Sequence, residues 1–338
     1  MYDPREVLAA APDALAAAFG VPVNAPHPLA AEMTLNSLSS LAHAAGRVVC
    51  PQRASESDLA VQGRGIHSAD FSSVLASATQ HLARRRFDLA AGHRAFCAEI
   101  ECRDFRPVPT AVPDVDTELP AVGESAEFAR GPVLIENGMT GQLSRYGMLL
   151  PVSRQVILND TIGILAAAVE ALGSSAARTE AGLVYGVLEA NPVLDDHGPT
   201  FHADFGNVIA SALDKSALGA AMAALRTQET IGGNIADSAA RHLVVAAGLE
   251  LPALELVHTF GLDLTVTATT RLPQGRWYLS AAPELAPTVA TLKLRGAASP
   301  ILIEQAQSPS FDGAAIKVSA VLGAVVISRV GIVRGGTQ

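Results

Sequence analysis

The stretch NDTIGILAAAVEALGSSAARTEAGLVYGVLEANP, residues 159–192, predicts a single long helix. Asp160 is a candidate N-cap, and Pro192 cannot continue a helix. The helix between these signals has about 30 residues and, at 1.5 Å per residue, a length of roughly 45 Å. Small or apolar side chains recur along it at alternating spacings of three and four residues: Ile162, Leu165, Val169, Leu172, Ala176, Thr179, Leu183 and Val187. Because the middle segment GSSAA has only small side chains, another element can cross the helix closely there.

The segment before this helix, residues 107–151, does not have the pattern of a compact core. It begins with turn residues, ends with a strand-like pattern, and contains six acidic side chains but no lysine. Connections in compact domains usually have about 4–6 residues, so a structureless loop of about 45 residues is uncommon. We expect a long two-stranded arm instead. An isolated hairpin is only marginally stable in water, so a neighbouring copy of the chain must supply its packing.

The rest of the chain alternates helical and strand patterns, which predicts an α+β fold. Residues 68–89 predict a helix that begins at Asp70, and residues 93–105 alternate as a half-buried strand. The elements after the long helix are helices at 214–228 and 251–260, strands at 241–248, 262–272, 276–281 and 288–296, and two returning strands within 313–336.

Composition limits the possible partners. Of the 338 residues, 49% are hydrophobic and 17% are charged, so either copies of the chain cover each other or the core is large and alanine-rich. The net charge is −9, and the lysines are Lys215, Lys293 and Lys317. Strong binding to nucleic acid depends on clustered lysine and arginine, so we expect any contact with nucleic acid to be non-specific.

Cysteines and apolar segments indicate where the chain is made. Cys50, Cys97 and Cys102 give no disulfide framework and fit a reducing compartment. The N-terminal segment lacks the basic region of a signal peptide, and the longest apolar runs are far shorter than the ~20 residues that span a bilayer. We expect a soluble chain, made in the cytoplasm, without membrane contact.

Possible catalytic groups are few. The segment NPVLDDHGPTFHADFGN contains Asp195, Asp196, His197, His202 and Asp204, but their spacing matches no common pattern of metal ligands, and a turn is favoured. In an uninterrupted strand Cys97 and Cys102 would point to opposite faces. Motifs for nucleophilic catalysis, phosphate binding and zinc are absent from the sequence. We therefore predict no catalytic residue, no cofactor and no metal.

The densest positive run of the sequence consists of Arg84, Arg85 and Arg86. It forms either a solvated helix end or a phosphate contact.

Several segments of the sequence carry a family resemblance. HSADFSSVLASATQHLARRRFDLA, DFRPV, the stretch from SRYGMLLPV through the long helix, and FHADFGN resemble the tailed-bacteriophage major capsid proteins of the Hong Kong 97 type. They look most like the Mu-like branch of head subunits. The specific similarity covers roughly residues 64–230, and the remainder agrees in the order of its elements.

The resemblance implies a division of the chain into six segments. They are an N-terminal arm (1–62), a first part of the peripheral domain (63–103), an extended E-loop (104–151), the peripheral domain with its spine helix (152–211), an axial domain (212–292), and strands that return to both domains (293–338).

The resemblance also implies a function and its partners. Identical chains would form hexamers and pentamers of an icosahedral phage head, assembled in the bacterial cytoplasm, around double-stranded DNA bound non-specifically. A portal, and a scaffold, protease or decoration protein, would be further partners, and the chain would not be an enzyme. The expected contacts between subunits are Glu124, Glu127, Phe128, Arg130, Glu136, Arg145 and Tyr146. Some relatives cross-link a lysine of the E-loop, which has none here, so we expect non-covalent assembly.

Two alternatives remain open at this point. One is the shell of an encapsulin-like compartment, which would enclose enzymes instead of DNA. The other is a cytosolic metal-dependent hydrolase that uses His197, His202 and Asp204.

Overall fold

The computed structural model describes residues 10, 13–14, 17, 26–32, 80–115, 133–153, 162–194, 198–297, 299–307 and 313–336. The helices are α1 (80–90), α2 (Ile162–Ala190), α3 (Lys215–Thr227) and α4 (Glu250–Thr259). The strands are β1 (Ala98–Cys102), β2 (Val108–Val115), β3 (Val133–Gly141), β4 (Ser144–Ser153), β5 (Val208–Ile209), β6 (Ala240–Ala246), β7 (Thr265–Thr269), β8 (Trp277–Ala281), β9 (Val289–Leu294), β10 (Ile301–Gln307), β11 (Gly313–Leu322), β12 (Ala324–Val326) and β13 (Ile332–Gly335). This mixture of helices and strands confirms the predicted α+β class.

The chain divides into two compact units. The first comprises Met1–Ala90, Arg145–Arg178 and Ala298–Val321, and the second comprises Ala91–Ser144, Thr179–Ala297 and Leu322–Gln338. Helix α2 begins in the first unit and ends in the second. The six segment boundaries implied by the resemblance stay a prediction. Most of the predicted N-terminal arm, and the first part of the helix predicted at 68–89, lie outside the described residues.

In the first unit α1 crosses α2 closely. A Cβ atom on Gly173 would lie 2.4 Å from the backbone oxygen of Ala83, so only glycine allows this approach. Leu82 and Ala83 are buried at the crossing. The close crossing predicted from the small residues of the long helix is therefore confirmed.

The first unit also contains a three-stranded sheet in the order β10–β11–β4. β10 and β11 are antiparallel, with Ile303 opposite Val318, and both side chains are buried. β10 was not predicted from the sequence. Its outer edge contacts α1: the Gln80 side-chain amide donates to the backbone oxygen of Ile301 and accepts from the backbone N–H of Ile303.

The second unit is built on a five-stranded sheet in the order β5–β13–β8–β6–β7. Successive residues of a strand point to opposite faces. On one face Leu243 and Trp277 pack with the buried side of α3 and α4, and on the other Val244 and Tyr278 pack with the end of α2. The Asp214 side chain caps α3 by accepting from the backbone N–H of Ala217 at 2.7 Å.

The C-terminal residues 313–336 differ from the prediction of two strands. They form three, because the chain leaves strand geometry at Gly323 and again between β12 and β13. A Cβ atom on Gly323 would lie 2.7 Å from the backbone oxygen of Gln142, and Gly331 has a φ of +92°. β13 then completes the five-stranded sheet between β5 and β8.

The predicted long helix is confirmed as α2, but its buried stripe differs in the second half. The buried positions there include Glu180, Val184, Tyr185 and Leu188, and three of them lie one residue beyond the predicted Thr179, Leu183 and Val187. The fully buried carboxylate of Glu180 accepts two hydrogen bonds from Arg94, each at 2.7 Å, and lies 2.8 Å from His93 Nε2. Both partners belong to a short 3-10 turn, Gly92–Phe96, where the sequence predicted the start of a strand. The strand itself, β1, begins at Ala98.

Candidate assembly surface

The predicted arm is present as a ladder of two antiparallel strands. β2 and β3 pair from Val108 opposite Gly141 to Val115 opposite Val133. Residues 116–132, which would continue the arm beyond this pair, lie outside the described residues. The two-stranded character is therefore confirmed at the base of the arm, and the packing of its tip stays a prediction.

The inner face of this ladder is anchored to the arm's own unit. The Glu136 side chain is buried, and its Oε2 accepts a hydrogen bond of 2.8 Å from the Ser328 hydroxyl. Its Oε1 lies 3.5 Å from the Arg329 Nε. A buried carboxylate has to be compensated in this way because its desolvation is costly.

Two further contacts fix the same face. The Asp114 carboxylate accepts from the backbone N–H of Gly232 at 2.8 Å. At Gly138 the ladder comes so close to the backbone of Ile327 that a Cβ atom would lie 2.3 Å from its oxygen. The expectation that the arm is unsupported by its own fold is thus wrong for the base, since this unit packs against it.

The outer face of the ladder is apolar and exposed. Val133 and Ile135 are 65% and 57% exposed. Pro113 is the neighbour of Ile135 across the ladder and is also exposed. These side chains form a surface that the described residues of the subunit leave uncovered.

The returning leg of the arm does not stay in the hairpin. The resemblance implied one loop through residue 151, but β3 ends at Gly141 and β4 joins the sheet of the first unit beside β11. Gly147 lies so close to β11 that a Cβ atom would be 2.7 Å from the backbone oxygen of Val318. Residues 144–153 therefore act as a sheet strand.

β4 is unusually open for a strand in a sheet. All residues from 144 to 149 are exposed, and Met148 and Leu149 reach 56% and 61%. The Arg145 guanidinium donates from Nη2 to the Ser319 hydroxyl at 3.2 Å and lies 3.8 Å from the Glu304 carboxylate. The Lys317 ammonium also donates to that carboxylate at 2.6 Å and lowers the Glu304 pKa, as does Arg145 to a smaller extent.

The residues predicted to contact neighbouring subunits fall into three groups. Glu124, Glu127, Phe128 and Arg130 lie outside the described residues. Glu136 is buried in the second unit and engaged by Ser328 and Arg329, so its assignment to a neighbour stays a prediction that the geometry does not favour. Arg145 and Tyr146 are adjacent and exposed on β4. Sequence reasoning missed Met148 and Leu149. The strand-like pattern of their segment was visible, but its position at the edge of a sheet was not.

The proposed metal ligands have other roles where they are described. The His202 Nδ1 accepts from the backbone N–H of Asp204 at 3.2 Å and caps a short turn. His197 lies outside the described residues. Within the described ranges, no three His, Cys, Asp or Glu side chains are grouped so that they could bind a metal.

Two cavities, of about 220 and 460 Å³, adjoin Glu136 in the second unit. Serine and threonine hydroxyls line them, but among the described residues their walls contain no histidine, cysteine or lysine. The walls also contain carboxylates: Asp114 and Glu136 in one cavity, and Glu136, Asp204 and Glu229 in the other.

The two cysteines of the second unit are buried and unpaired. Burial, with the nearby Glu180 carboxylate, raises the pKa of the Cys97 thiol. Burial also raises the pKa of Cys102. A thiol with a raised pKa is a poor nucleophile, so both behave as small buried side chains.

The arginines of α1 are exposed on its outer side. Arg84 lies 3.9 Å from the Asp88 carboxylate, one helical turn further on, and the Arg86 Nε donates to the Ser174 hydroxyl at 3.2 Å. These contacts fit an ion-paired helix end, and the phosphate contact stays an untested alternative. Among the described helices, none combines the length and the apolar character that crossing a membrane requires.

Comparisons with known proteins identify a family. The family model described as phage capsid protein matches residues 137–335, which is more than half of the chain. None of the curated proteins matches this sequence.

Several solved structures are similar at low identity. A chain from Microbacterium phage Oxtober96 has 10% identity and a TM-score of 0.49, covering 73% of this chain and 91% of that one. A chain from the capsid structure of the cyanophage P-SCSP1u has 11% identity and a TM-score of 0.47, with coverages of 73% and 88%. A chain from the capsid of a native GTA particle has 11% identity and a TM-score of 0.46, with coverages of 74% and 90%. These likenesses are remote, and the matched family model is the finding that decides: the chain belongs to the phage capsid protein family.

Proposed function

We propose that copies of this major capsid protein assemble, without covalent cross-links, into the hexamers and pentamers of a closed icosahedral phage head. The observation that carries the proposal is the uncovered apolar surface on the outer face of the β2–β3 ladder and on β4. Exposed apolar patches of this kind mark surfaces that another molecule covers. In a capsid protein the most abundant such molecule is the next copy of the same chain.

The assembly is non-covalent because residues 104–151 contain no lysine. The shell is held by many modest contacts, and its stability comes from their number and from closure. Packaged double-stranded DNA is contacted non-specifically, in agreement with the net charge of −9. The protein acts as a structural component of the virion without a catalytic site, and a portal, scaffold, protease or decoration protein joins it during assembly in the host cytoplasm.

Electron microscopy of the purified protein in negative stain tests this function. Closed particles of uniform size are expected, and boiling in detergent should return a single band at the subunit mass. A protein that stays monomeric at every concentration and in the presence of its phage partners would contradict the proposal. A ladder of multimers on the denaturing gel would refute the non-covalent assembly alone.

Two further measurements separate the remaining alternatives. Particles from infected cells should contain DNA that resists nuclease, whereas an encapsulin-like compartment would contain protein cargo. Elemental analysis of the purified subunit should find no stoichiometric zinc or iron; a metal at one equivalent would support the hydrolase.

A further inference from the structure

The sheet of the first unit has two edges, and they differ. At the β10 edge the Gln80 amide binds the backbone of Ile301 and Ile303, so a side chain occupies the place of a neighbouring strand. At the opposite edge is β4, and the described residues place no strand beside its outer side. An open edge offers a row of backbone N–H and C=O groups to another chain.

The two faces of β4 are also unequal. The Arg145 side chain lies on the same face as Ser319 and Glu304. Because side chains alternate along a strand, Tyr146 and Met148 lie on the opposite face. On that face the side chains of the other two strands are buried, at Ile303 and Val318, whereas Tyr146 and Met148 on β4 are exposed. The hydrophobic face of this sheet therefore ends in an exposed apolar ledge at its open edge.

We propose that β4 of a second copy pairs with this edge, antiparallel and centred on Gly147, so that two subunits share a continuous sheet across a two-fold axis. The inference rests on the proposed function, because it requires copies of the chain to meet. A two-fold contact uses the same surface on both partners, so the strand has to be complementary to itself.

The sequence of β4 meets that condition. With Gly147 opposite its own copy, Tyr146 faces Met148 and Arg145 faces Leu149, in both directions. No like charges are opposed, and thioether sulfur packs favourably against an aromatic ring. Gly147 has no side chain to obstruct the axis. Pro151 has no backbone N–H to donate, so the pairing ends just beyond the apolar segment.

Disulfide trapping tests this pairing directly. Opposite residues of an antiparallel pair have Cα atoms about 4.5–5.5 Å apart, which lies within the range that a disulfide bridges. In a Cys50→Ser background, assembled particles of the double variant Tyr146→Cys, Met148→Cys should yield dimers on a non-reducing gel. No species larger than a dimer is expected, because the β4 edge of each copy pairs with the β4 edge of one other copy. Leu302→Cys, an exposed position on the blocked β10 edge, is the matched control and should stay monomeric.

Failure to form dimers in assembled particles would overturn the inference. A ladder of higher multimers would also overturn it, since that result means a head-to-tail contact, and so would cross-linking to a different protein. Particles that assemble but do not cross-link leave the proposed function intact, whereas a wild-type chain that never assembles removes the proposed function itself.

Charge exchange gives a second test that does not depend on cysteine geometry. The variant Tyr146→Lys, Met148→Lys places lysine opposite lysine at both pairs, and we expect it to lose closed particles. The variant Tyr146→Glu, Met148→Glu should lose them for the same reason, and a mixture of the two should regain them. Leu302→Lys is the control and should assemble. If each charged variant assembles alone as well as the wild type, β4 does not pair with itself; unchanged melting of the unassembled subunits excludes misfolding.

Discussion

Glu136 on β3 and Arg145 on β4 are nine residues apart, and the family resemblance predicts the same role for both. The structure uses them in opposite ways. Glu136 is buried and held by Ser328 and Arg329, whereas Arg145 lies exposed on an open strand with two loose contacts. The difference shows that the base of the arm packs against its own subunit, while residues 144–149 of β4 are exposed. Substitutions in the two regions should therefore fail in different assays.

The largest loss of subunit stability should follow substitution of Glu180, because this carboxylate is more deeply buried than that of Glu136. Glu180→Gln removes the carboxylate charge that pairs with Arg94, and removing one member of a buried pair costs about 3–5 kcal/mol. Urea unfolding of the unassembled subunit measures this cost. Glu99→Gln is the control, because Glu99 forms an exposed pair with Lys293 whose loss should cost under about 1 kcal/mol. Equal effects of the two variants would contradict this interpretation.

The same pair makes a prediction about pH. Burial raises the pKa of Glu180, but the hydrogen bonds from Arg94 and His93 outweigh burial and leave that pKa lowered. A carboxylate whose pKa is lower in the folded state stabilises the fold fully above its ordinary pKa of about 4.3 and progressively less below it. The difference in unfolding free energy between wild type and Glu180→Gln should thus be constant near neutral pH and shrink as the pH falls below that value. A difference that grows on acidification would show the opposite sign of the shift.

A smaller loss is expected at Glu136 itself. Glu136→Gln removes the charge that compensates Arg329 and weakens the bond to Ser328, so the free energy of unfolding should fall by about 2–3 kcal/mol. Ser328→Ala removes one hydrogen bond and should cost about 1 kcal/mol. Urea unfolding of unassembled subunits measures both losses. If Glu136→Gln left that stability unchanged and impaired only assembly, the carboxylate would belong to a neighbour contact after all.

The smallest effect on the subunit is expected at Arg145. Its side chain is exposed and its contacts are loose, so Arg145→Ala should leave the Tm of the unassembled subunit unchanged. The yield of closed particles should nevertheless fall, because we propose that this side chain contacts another copy. A lowered Tm with normal particles would reverse the roles assigned to β3 and β4.

Local patterns predicted the elements that depend on local signals. Helix α2 followed from its periodicity, and α3 from the helical pattern of residues 214–228. The buried stripe of α2 departs from the pattern at Glu180, because its partners Arg94 and His93 are more than 80 residues away in the chain. A hydrophobicity pattern treats glutamate as polar, so it did not predict that Glu180 is buried.

Local sequence patterns did not predict the features that depend on the order of strands in a sheet. β10 was missed because its outer edge is completed by Gln80, a residue more than 200 positions earlier. The exposure of Met148 and Leu149 follows from the place of β4 at the end of its sheet, which no local pattern contains. For the same reason the anchoring of Glu136 by Ser328, far along the chain, could not be anticipated.

Replacement of residues 116–132 by Asn-Gly tests most directly whether the arm is completed on sister copies. Val115 and Val133 are paired across the ladder, and Asn-Gly is the favoured two-residue turn of a hairpin, so the replacement closes the ladder without disturbing its base. We predict a subunit that unfolds at the wild-type urea concentration and forms no closed particles by electron microscopy. Particles of normal size and yield from this variant would contradict the central claim.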